Sequence, residues 1–371
     1  GGTQMRRTHR AVTAVLLAAT LIGVSAPMAA ARQPDPVQRQ LDLLVERDGV
    51  PGALAHDGRT TRRAGVADRV SGRPMVGPAG RFRMASNTKA FTATAVMRLV
   101  ADGRIRLGDR AGTYLPQLAR RDITVRQLLM QTSGLPEYAT LVDWSRPGTE
   151  EEYLALALAE EPVFPPGTDW GYSNTNYLVL GMLIDKVSGT DYRTYVERVI
   201  LRPLRLDHTY WPAPGELTLR GPHARNYGIH PARPEAGHVD VTELPGYEFG
   251  ASGGLVTTPG DLNAFWDGLF GGRLLPRWAV RLMTSDTSDV GGHDVYPPGS
   301  RYGYGVSSTP LSCGGSYWGH GGDLPGSSVA GGRATGGRGT VTVYTTTWAA
   351  AGDSLRHLQG AVDAALCAED H

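Results

Sequence analysis

Spacing of apolar residues outlines the elements of this chain. "VQRQLDLLVERDG", from Val37, has helical periodicity and predicts a helix over residues 36–48 that Gly49 stops. Two strand-like pieces follow, around Ala53, Leu54 and Ala55 and over residues 63–67, separated by the turn signal Asp57-Gly58. Phe91, Ala95, Val96 and Leu99 then repeat at three and four, as a buried helix running to about Gly103 requires. From Asp109 to about Thr209 the pattern stays helical, in "TVRQLLMQTSGL", "EEYLALALAE", "NYLVLGMLIDKVSG" and "YRTYVERVILRPL", with proline and glycine punctuating the segments. A Pro- and Gly-rich stretch to about Gly246 reads as loops. After Phe249 the pattern turns to strands, in "GGLVTT", "YGYGVSS", "SYWGHGG", "SSVAGGRA" and "TVTVYTTTW", and residues 353–367 read as a last amphipathic helix. Short strands at both ends of a helical middle predict an α+β fold. One antiparallel sheet would be flanked by the terminal helices, with a mostly helical second region. The α/β part takes in residues 32–108 and 249–371, and the helical part residues 109–248.

Composition narrows the class. With 371 residues, 41% hydrophobic and 20% charged, the chain has ample sequence for one large domain or two closely packed ones. A net charge of +1 without any basic run argues against nucleic acid as a partner. No phosphate- or dinucleotide-binding glycine pattern occurs, so no cofactor is implied. His223, His230 and His238 fall in the Pro-rich stretch at spacings that match no zinc motif, and read as solvated loop residues rather than metal ligands.

The first residues predict export. Gly1 to Gln4 precede Met5 and read as a remnant; Arg6, Arg7 and Arg10, an apolar run at 11–24 and Ala29-Ala30-Ala31 then describe a cleavable secretory signal. That run is too short to span a bilayer, and nothing later is long and apolar enough. A secreted protein beginning near Arg32, with no membrane span once the signal is removed, is the expectation. Cys313 and Cys367 agree with it, since an isolated pair in an oxidising compartment is expected to be bridged.

Chemistry enters at "FRMASNTKAFTATAV". Lysine is scarce here, only Lys89 and Lys186, yet Lys89 stands three residues after Ser86 at a helix start. The two share a helix face. Helix N-terminal amides favour developing negative charge on the serine, and a desolvated lysine can accept its proton. A bare Ser-x-x-Lys is a weak signal. "WGYSNTNY" adds Tyr172 and Asn174, and "YWGHGGDLPG" adds His320, Gly321 and Gly322 in a strand pattern. Ser-x-x-Lys, Tyr-x-Asn and a basic residue-x-Gly, in that order, resemble the serine β-lactamase and penicillin-binding protein superfamily. The likeness is greatest to secreted D-alanyl-D-alanine carboxypeptidases with a histidine in the third motif. "ITVRQLLMQTSGL", "YSNTNYLVLGMLIDKVSG" and "LSCGGSYWGHGG" extend it, as does the cysteine pair.

The resemblance implies a β-lactamase/transpeptidase-like fold and two-step acyl transfer without metal or cofactor. Ser86 would be the nucleophile, Lys89 its proton acceptor, and Tyr172 the relay to the leaving group, supported electrostatically by His320. Asn174 would bind the substrate's backbone amide and help hold Lys89. The N–H groups of Ser86 and Asp323 would form an oxyanion hole, with Gly321 and Gly322 letting substrate lie along the strand. Small peptides or esters, including peptidoglycan stem peptides, are the implied substrates, and β-lactams the implied covalent inhibitors. A D-alanyl-D-alanine carboxypeptidase leads; an esterase or D-amino-acid amidase or peptidase follows. A β-lactamase, or a sensor that acylates without turnover, fits less well.

Departures concern the substrate. Gly321 and Asp323 replace the hydroxyl residues that such carboxypeptidases place around the third-motif glycine, and Ser307-Ser308-Thr309 stands where their carboxylate-binding arginine would lie. If Asp323 faces the cleft it repels a carboxylate; otherwise Arg301 or Arg333 could reach in. The expected acyl-pocket aromatic is either replaced by Glu248 or shifted to Phe249. "GASGG" matches the nucleophile elbow Gly-x-Ser-x-Gly, but its flanks lack the strand-then-helix context, so Ser252 reads as part of a Gly-rich turn beside the cleft.

Overall fold

The computed structural model describes residues 34–368, so the expected leader at residues 1–31 lies outside them. Helix Pro36–Glu46 begins where the Asp35 carboxylate accepts the Val37 N–H at 3.0 Å, with proline in the first turn. Nine strands, every pairing antiparallel, build the main sheet. From one edge the order is Thr61–Gly65, Gly52–His56, Thr340–Thr345, Ser327–Ala334, Ser316–Gly319, Ser307–Pro310, Arg301–Tyr302 and Ser288–Asp289. The ninth, Gly322–Leu324, continues the line of Ser316–Gly319 and pairs with the first half of Ser327–Ala334.

Alternation along the central strands divides the core. Val341 and Val343, with Ala53 and Ala55, pack against helices Pro36–Glu46 and Gly352–Leu366 through Leu41, Leu44, Leu358 and Val362. Leu54 and Tyr344 turn to the other face, where they join Phe91, Phe265 and Trp266 in the larger cluster that holds the helical region together. The Cys313–Cys367 disulfide forms as expected, tying the loop before Ser316–Gly319 to the end of the last helix.

The helical middle is present as Val125–Leu129, Glu150–Leu158, Asn174–Ser188 and Tyr192–Val196. Three local expectations change. The second strand is Thr61–Gly65, two residues earlier than its apolar pattern indicated. Helices Pro259–Phe270 and Arg277–Ser285 interrupt the region read as strands; the first buries Leu262, Phe265, Trp266 and Leu269 on one face. "GASGG" is the end of helix Gly246–Gly253, kinked at Gly250, rather than a turn.

Candidate active site

The chain reaches Ser86 under constraint. Strand Phe82–Arg83 pairs with Val256–Thr257, then a 3₁₀ turn, Ala85–Asn87, leads into helix Thr88–Ala101. Ala85 adopts φ 50°, a left-handed conformation that costs an L-residue about 1–2 kcal/mol. Hydrogen bonds hold it there: Met84 N–H donates to Leu255 O at 3.0 Å, and the Asn87 side-chain amide donates to Met84 O at 3.0 Å. The result is a half-buried serine at the mouth of the helix.

Lys89 is fully buried one turn later. Its Nζ lies 3.0 Å from Ser86 Oγ, 2.6 Å from Asn174 Oδ1 and 2.9 Å from Ser252 O. Desolvation lowers its pKa to about 7, opposed by the negative charge of Glu137. The partners divide by chemistry. The oxygens of Asn174 and Ser252 can only accept, so a neutral amine spends both N–H groups on them. Its lone pair is then left for the Ser86 hydroxyl proton.

Tyr172 and Asn174 flank Ser173, which caps helix Asn174–Ser188 by accepting the Thr175 N–H. The Lys89 Nζ stands 4.9 Å from the centre of the Tyr172 ring. Burial raises the Tyr172 pKa well above the ordinary phenol value; Tyr302 and Tyr296 add to the rise, and a hydrogen bond with Ser86 opposes it. Tyr172 is therefore a neutral phenol beside the serine, able to give a proton, while Lys89 is the group able to take one. Glu137, which no sequence motif marks, fixes Asn174: its Oε2 accepts the backbone N–H at 2.9 Å and the side-chain amide at 3.0 Å. That clamp turns Asn174 Oδ1 toward Lys89.

His320 also comes to the pocket, 6.2 Å from Tyr172 between ring centres, but in a different role from the one expected. Its Nδ1 lies 2.5 Å from Gly321 O, an acceptor, so Nδ1 carries the hydrogen and Nε2 accepts from the Tyr302 hydroxyl at 3.1 Å. Desolvation, then the Lys89 charge, lower its pKa to about 3. A neutral imidazole cannot support Tyr172 as a cation, so that expectation is corrected: burial overrides the basic character of the residue.

Gly322 fits because it lacks a side chain. A Cβ there would lie 2.5 Å from Met84 O and 2.9 Å from Ser86 N, whereas one on Gly321 would meet nothing nearer than Val329 O at 3.7 Å. Pro325-Gly326 closes a two-residue hairpin, which makes Leu324–Ser327 a hydrogen-bonded pair and Asp323–Ser328 a non-bonded one. Asp323 N–H therefore points away from strand Ser327–Ala334, and the neighbouring Gly322 packs on the turn that carries Ser86.

Two lobes meet at Ser86, Asn174 and Asp323. One, of about 240 Å³, is walled by Tyr138, Trp144, Phe249 and Leu324. The other, of about 220 Å³, is polar, with Tyr172, His320, Asp294 and Tyr296. Phe249 thus lines the aromatic lobe with Tyr138 and Trp144, and Glu248 lies outside both linings. Asp323 lines both lobes; its carboxylate accepts from Ser328 Oγ at 2.5 Å, and crowding by protein pushes its pKa up to about 6 although the residue keeps solvent contact. Arg301 is engaged by Thr287 at 2.6 Å and Arg333 by Asp267 O at 3.1 Å, so neither reaches in. Ser252 Oγ donates to Phe249 O at 3.1 Å, and the residue serves the pocket through its carbonyl on Lys89. Tyr317 and Trp318 pack on the two core clusters. No cluster of potential metal ligands occurs among the described residues.

An antiparallel sheet with Ser-x-x-Lys at a helix start, faced by Tyr-x-Asn, defines a serine hydrolase of the β-lactamase and penicillin-binding type. The Beta-lactamase family model matches residues 37–365, and the chain belongs to that family. Among curated relatives, Protein flp of Staphylococcus aureus (strain COL) is 31% identical over 188 residues, 46% of this chain and 38% of that protein. Penicillin-binding protein 4* of Bacillus subtilis is 31% identical over 134 residues, 34% of this chain and 30% of its own length. The matched region thus spans well under half of these relatives. Solved structures match more fully. A D-stereospecific amidohydrolase from Streptomyces sp. has a TM-score of 0.75 and 34% identity, covering 86% of this chain and 96% of that one. D-amino acid amidase from Ochrobactrum anthropi SV3, solved with L-phenylalanine amide, has a TM-score of 0.77 and 27% identity, covering 89% and 96%.

Proposed function

We propose that this chain is an exported serine amidohydrolase that acylates Ser86 and cleaves small amides or peptides with a D-residue on the acyl side. The observation that carries the substrate assignment is the polar lobe: Asp294 and Asp323 line it, and no arginine or lysine does. A leaving group ending in a carboxylate meets like charge there; ammonia, an alcohol or an amidated residue does not. The aromatic lobe suits an apolar acyl side chain. The D-preference rests on the similarity to the D-stereospecific amidohydrolase of Streptomyces sp. and the D-amino acid amidase of Ochrobactrum anthropi. Export rests on the leader pattern, and the disulfide agrees with it.

In this reading neutral Lys89 takes the Ser86 proton as Oγ attacks the carbonyl, and the oxyanion settles on the N–H groups of Ser86 and Asp323. Tyr172 gives its proton to the departing nitrogen and takes one back from the Lys89 ammonium, which received it from Ser86 on attack. Water then attacks the ester by the same route in reverse. The free Asn174 amide hydrogen meets a substrate carbonyl.

The test compares an aromatic D-amino-acid amide, its L-enantiomer and an N-acylated D-Ala-D-Ala peptide, with wild type and Ser86→Ala. Release of ammonia from the D-amide, lost in Ser86→Ala, is the expected result. Preferential release of D-alanine from the peptide would restore the carboxypeptidase expectation, and turnover surviving in Ser86→Ala would remove the nucleophile.

A further inference from the structure

We infer that the segment 290–300 is a strap that limits the leaving group to a single small unit, and that Gln359 on the last helix is the positioning residue that holds it down. This rests on the amidohydrolase reading for the direction of the substrate: Tyr172 protonates the leaving group, so the leaving group occupies the lobe that contains Tyr172. Asp294, Val295 and Tyr296 form the far wall of that lobe. Beyond it lies a second, smaller space between the strap and the strand residues Tyr317 and His320, a neck of about 50 Å³ against about 220 Å³ for the lobe, which ends against Leu355, Leu358 and Gln359 of helix Gly352–Leu366. Val295, Tyr296, His320, Gly321 and Asp323 border both spaces, so the two adjoin at the strap. A second leaving residue that ran on past the strap along the strand would have to enter that neck.

Three sets of contacts keep the neck closed. Gln359 Nε2 donates to Val295 O at 2.8 Å, across 64 residues of sequence. Within the strap, Gly292 N–H donates to Tyr296 O at 2.9 Å and Tyr296 N–H to His293 O at 2.8 Å, making a tight loop of its tip. The Tyr296 ring meets Trp170 edge-on at 5.9 Å and Tyr302 at 6.3 Å, and Trp170 also meets His293 at 5.5 Å. The aromatic contacts seat the strap on the pocket side and the Gln359 amide pins its other flank. Gln359 touches neither the nucleophile nor the polar lobe, so it acts only through Val295.

The experiment measures kcat/KM for one acyl D-residue with three leaving groups, each uncharged at its end: ammonia, one amidated residue and two amidated residues. Wild type should accept the first two and fall at least about tenfold on the third. Gln359→Ala should raise the two-residue substrate about fivefold, the effect of losing one hydrogen bond of about 1 kcal/mol, and leave the ammonia reaction unchanged. Val295→Gly, which widens the neck without touching Gln359, should raise it as well and guards against a Gln359 variant that fails to fold. Equal wild-type rates on all three, or an unaltered length ratio in both folded variants, would overturn the strap. Repeating the length series with free carboxylate ends separates the two readings. A carboxypeptidase preference there removes the amidohydrolase reading and still reports on the strap.

Discussion

In the proposed mechanism the Lys89 amine decides the pH dependence of the reaction. With its pKa lowered to about 7, the acylation rate should rise with pH and reach half its plateau near there, as stopped-flow acylation by an aryl ester whose leaving group bears no carboxylate would show. Lys89→Arg keeps a cation that does not deprotonate and should slow acylation about 10²–10⁴-fold. A plateau unchanged from pH 5 to 9 would exclude Lys89 as the proton acceptor. The same shift acts on stability. The unfolded amine binds its proton up to about pH 10.5 and the folded one only to about 7, so this group's contribution falls as pH drops between those values and is flat below. Glu137 offers a second test, because its charge raises the Lys89 pKa while its oxygen holds Asn174. Glu137→Ala should therefore lower the plateau rate about tenfold and move the midpoint to more acid pH, since Lys89 loses a stabilising anion. A merely structural residue would lower the plateau and leave the midpoint in place.

At the scale of elements, the close approach of Gly322–Leu324 to the turn Ala85–Asn87 is what assembles the pocket. Gly322→Ala puts a carbon 2.5 Å from Met84 O, so it should cost about 1–3 kcal/mol of stability and most of the acylation rate, while Gly321→Ala is tolerated in fold. Denaturant titration and acylation by the same aryl ester check the pair, and equal behaviour of the two variants would count against this packing. The elements themselves were largely legible. Helices and strands with clean periodicity, such as Asn174–Ser188 and Thr340–Thr345, stand where the pattern places them. Helix Pro259–Phe270 was not read, although Thr258 caps it, proline opens it and its apolar residues follow the helical spacing; the glycines and prolines on both sides masked it. At the site, residues that act through side-chain type in a motif could be read: Ser86, Lys89, Tyr172 and Asn174 converge. Those that act through a backbone carbonyl, as Ser252 does, or from an unpatterned loop, as Glu137 does, leave no signature. His320 was legible as a position but not as a charge, because only burial and the Tyr302 hydroxyl decide that the ring is neutral.

For the molecule as a whole, the two ends of the described chain meet on one face of the sheet, and the disulfide locks that meeting. Helices Pro36–Glu46 and Gly352–Leu366 pack on each other and on the central strands, and Cys367 closes a loop back to Cys313, 54 residues away. Closing a loop of that length stabilises by about 4 kcal/mol in the chain-entropy account. With about 0.7 kcal/mol/K of unfolding entropy for a chain of this size, the double variant Cys313→Ser, Cys367→Ser should melt roughly 6 °C lower by calorimetry. The catalytic rate on a D-amide at 25 °C should survive, because Ser86, Lys89 and Asn174 are held by hydrogen bonds on the opposite side of the sheet. The leaving-group profile should not survive intact. Gln359 sits on the helix that the disulfide anchors, so loosening that helix frees the strap and raises turnover of two-residue leaving groups, in the direction of Gln359→Ala but by less. A lower melting point with an unmoved length ratio would separate the helix's stabilising role from its hold on the cleft, and would place control of the strap in its aromatic contacts with Trp170 and Tyr302 instead.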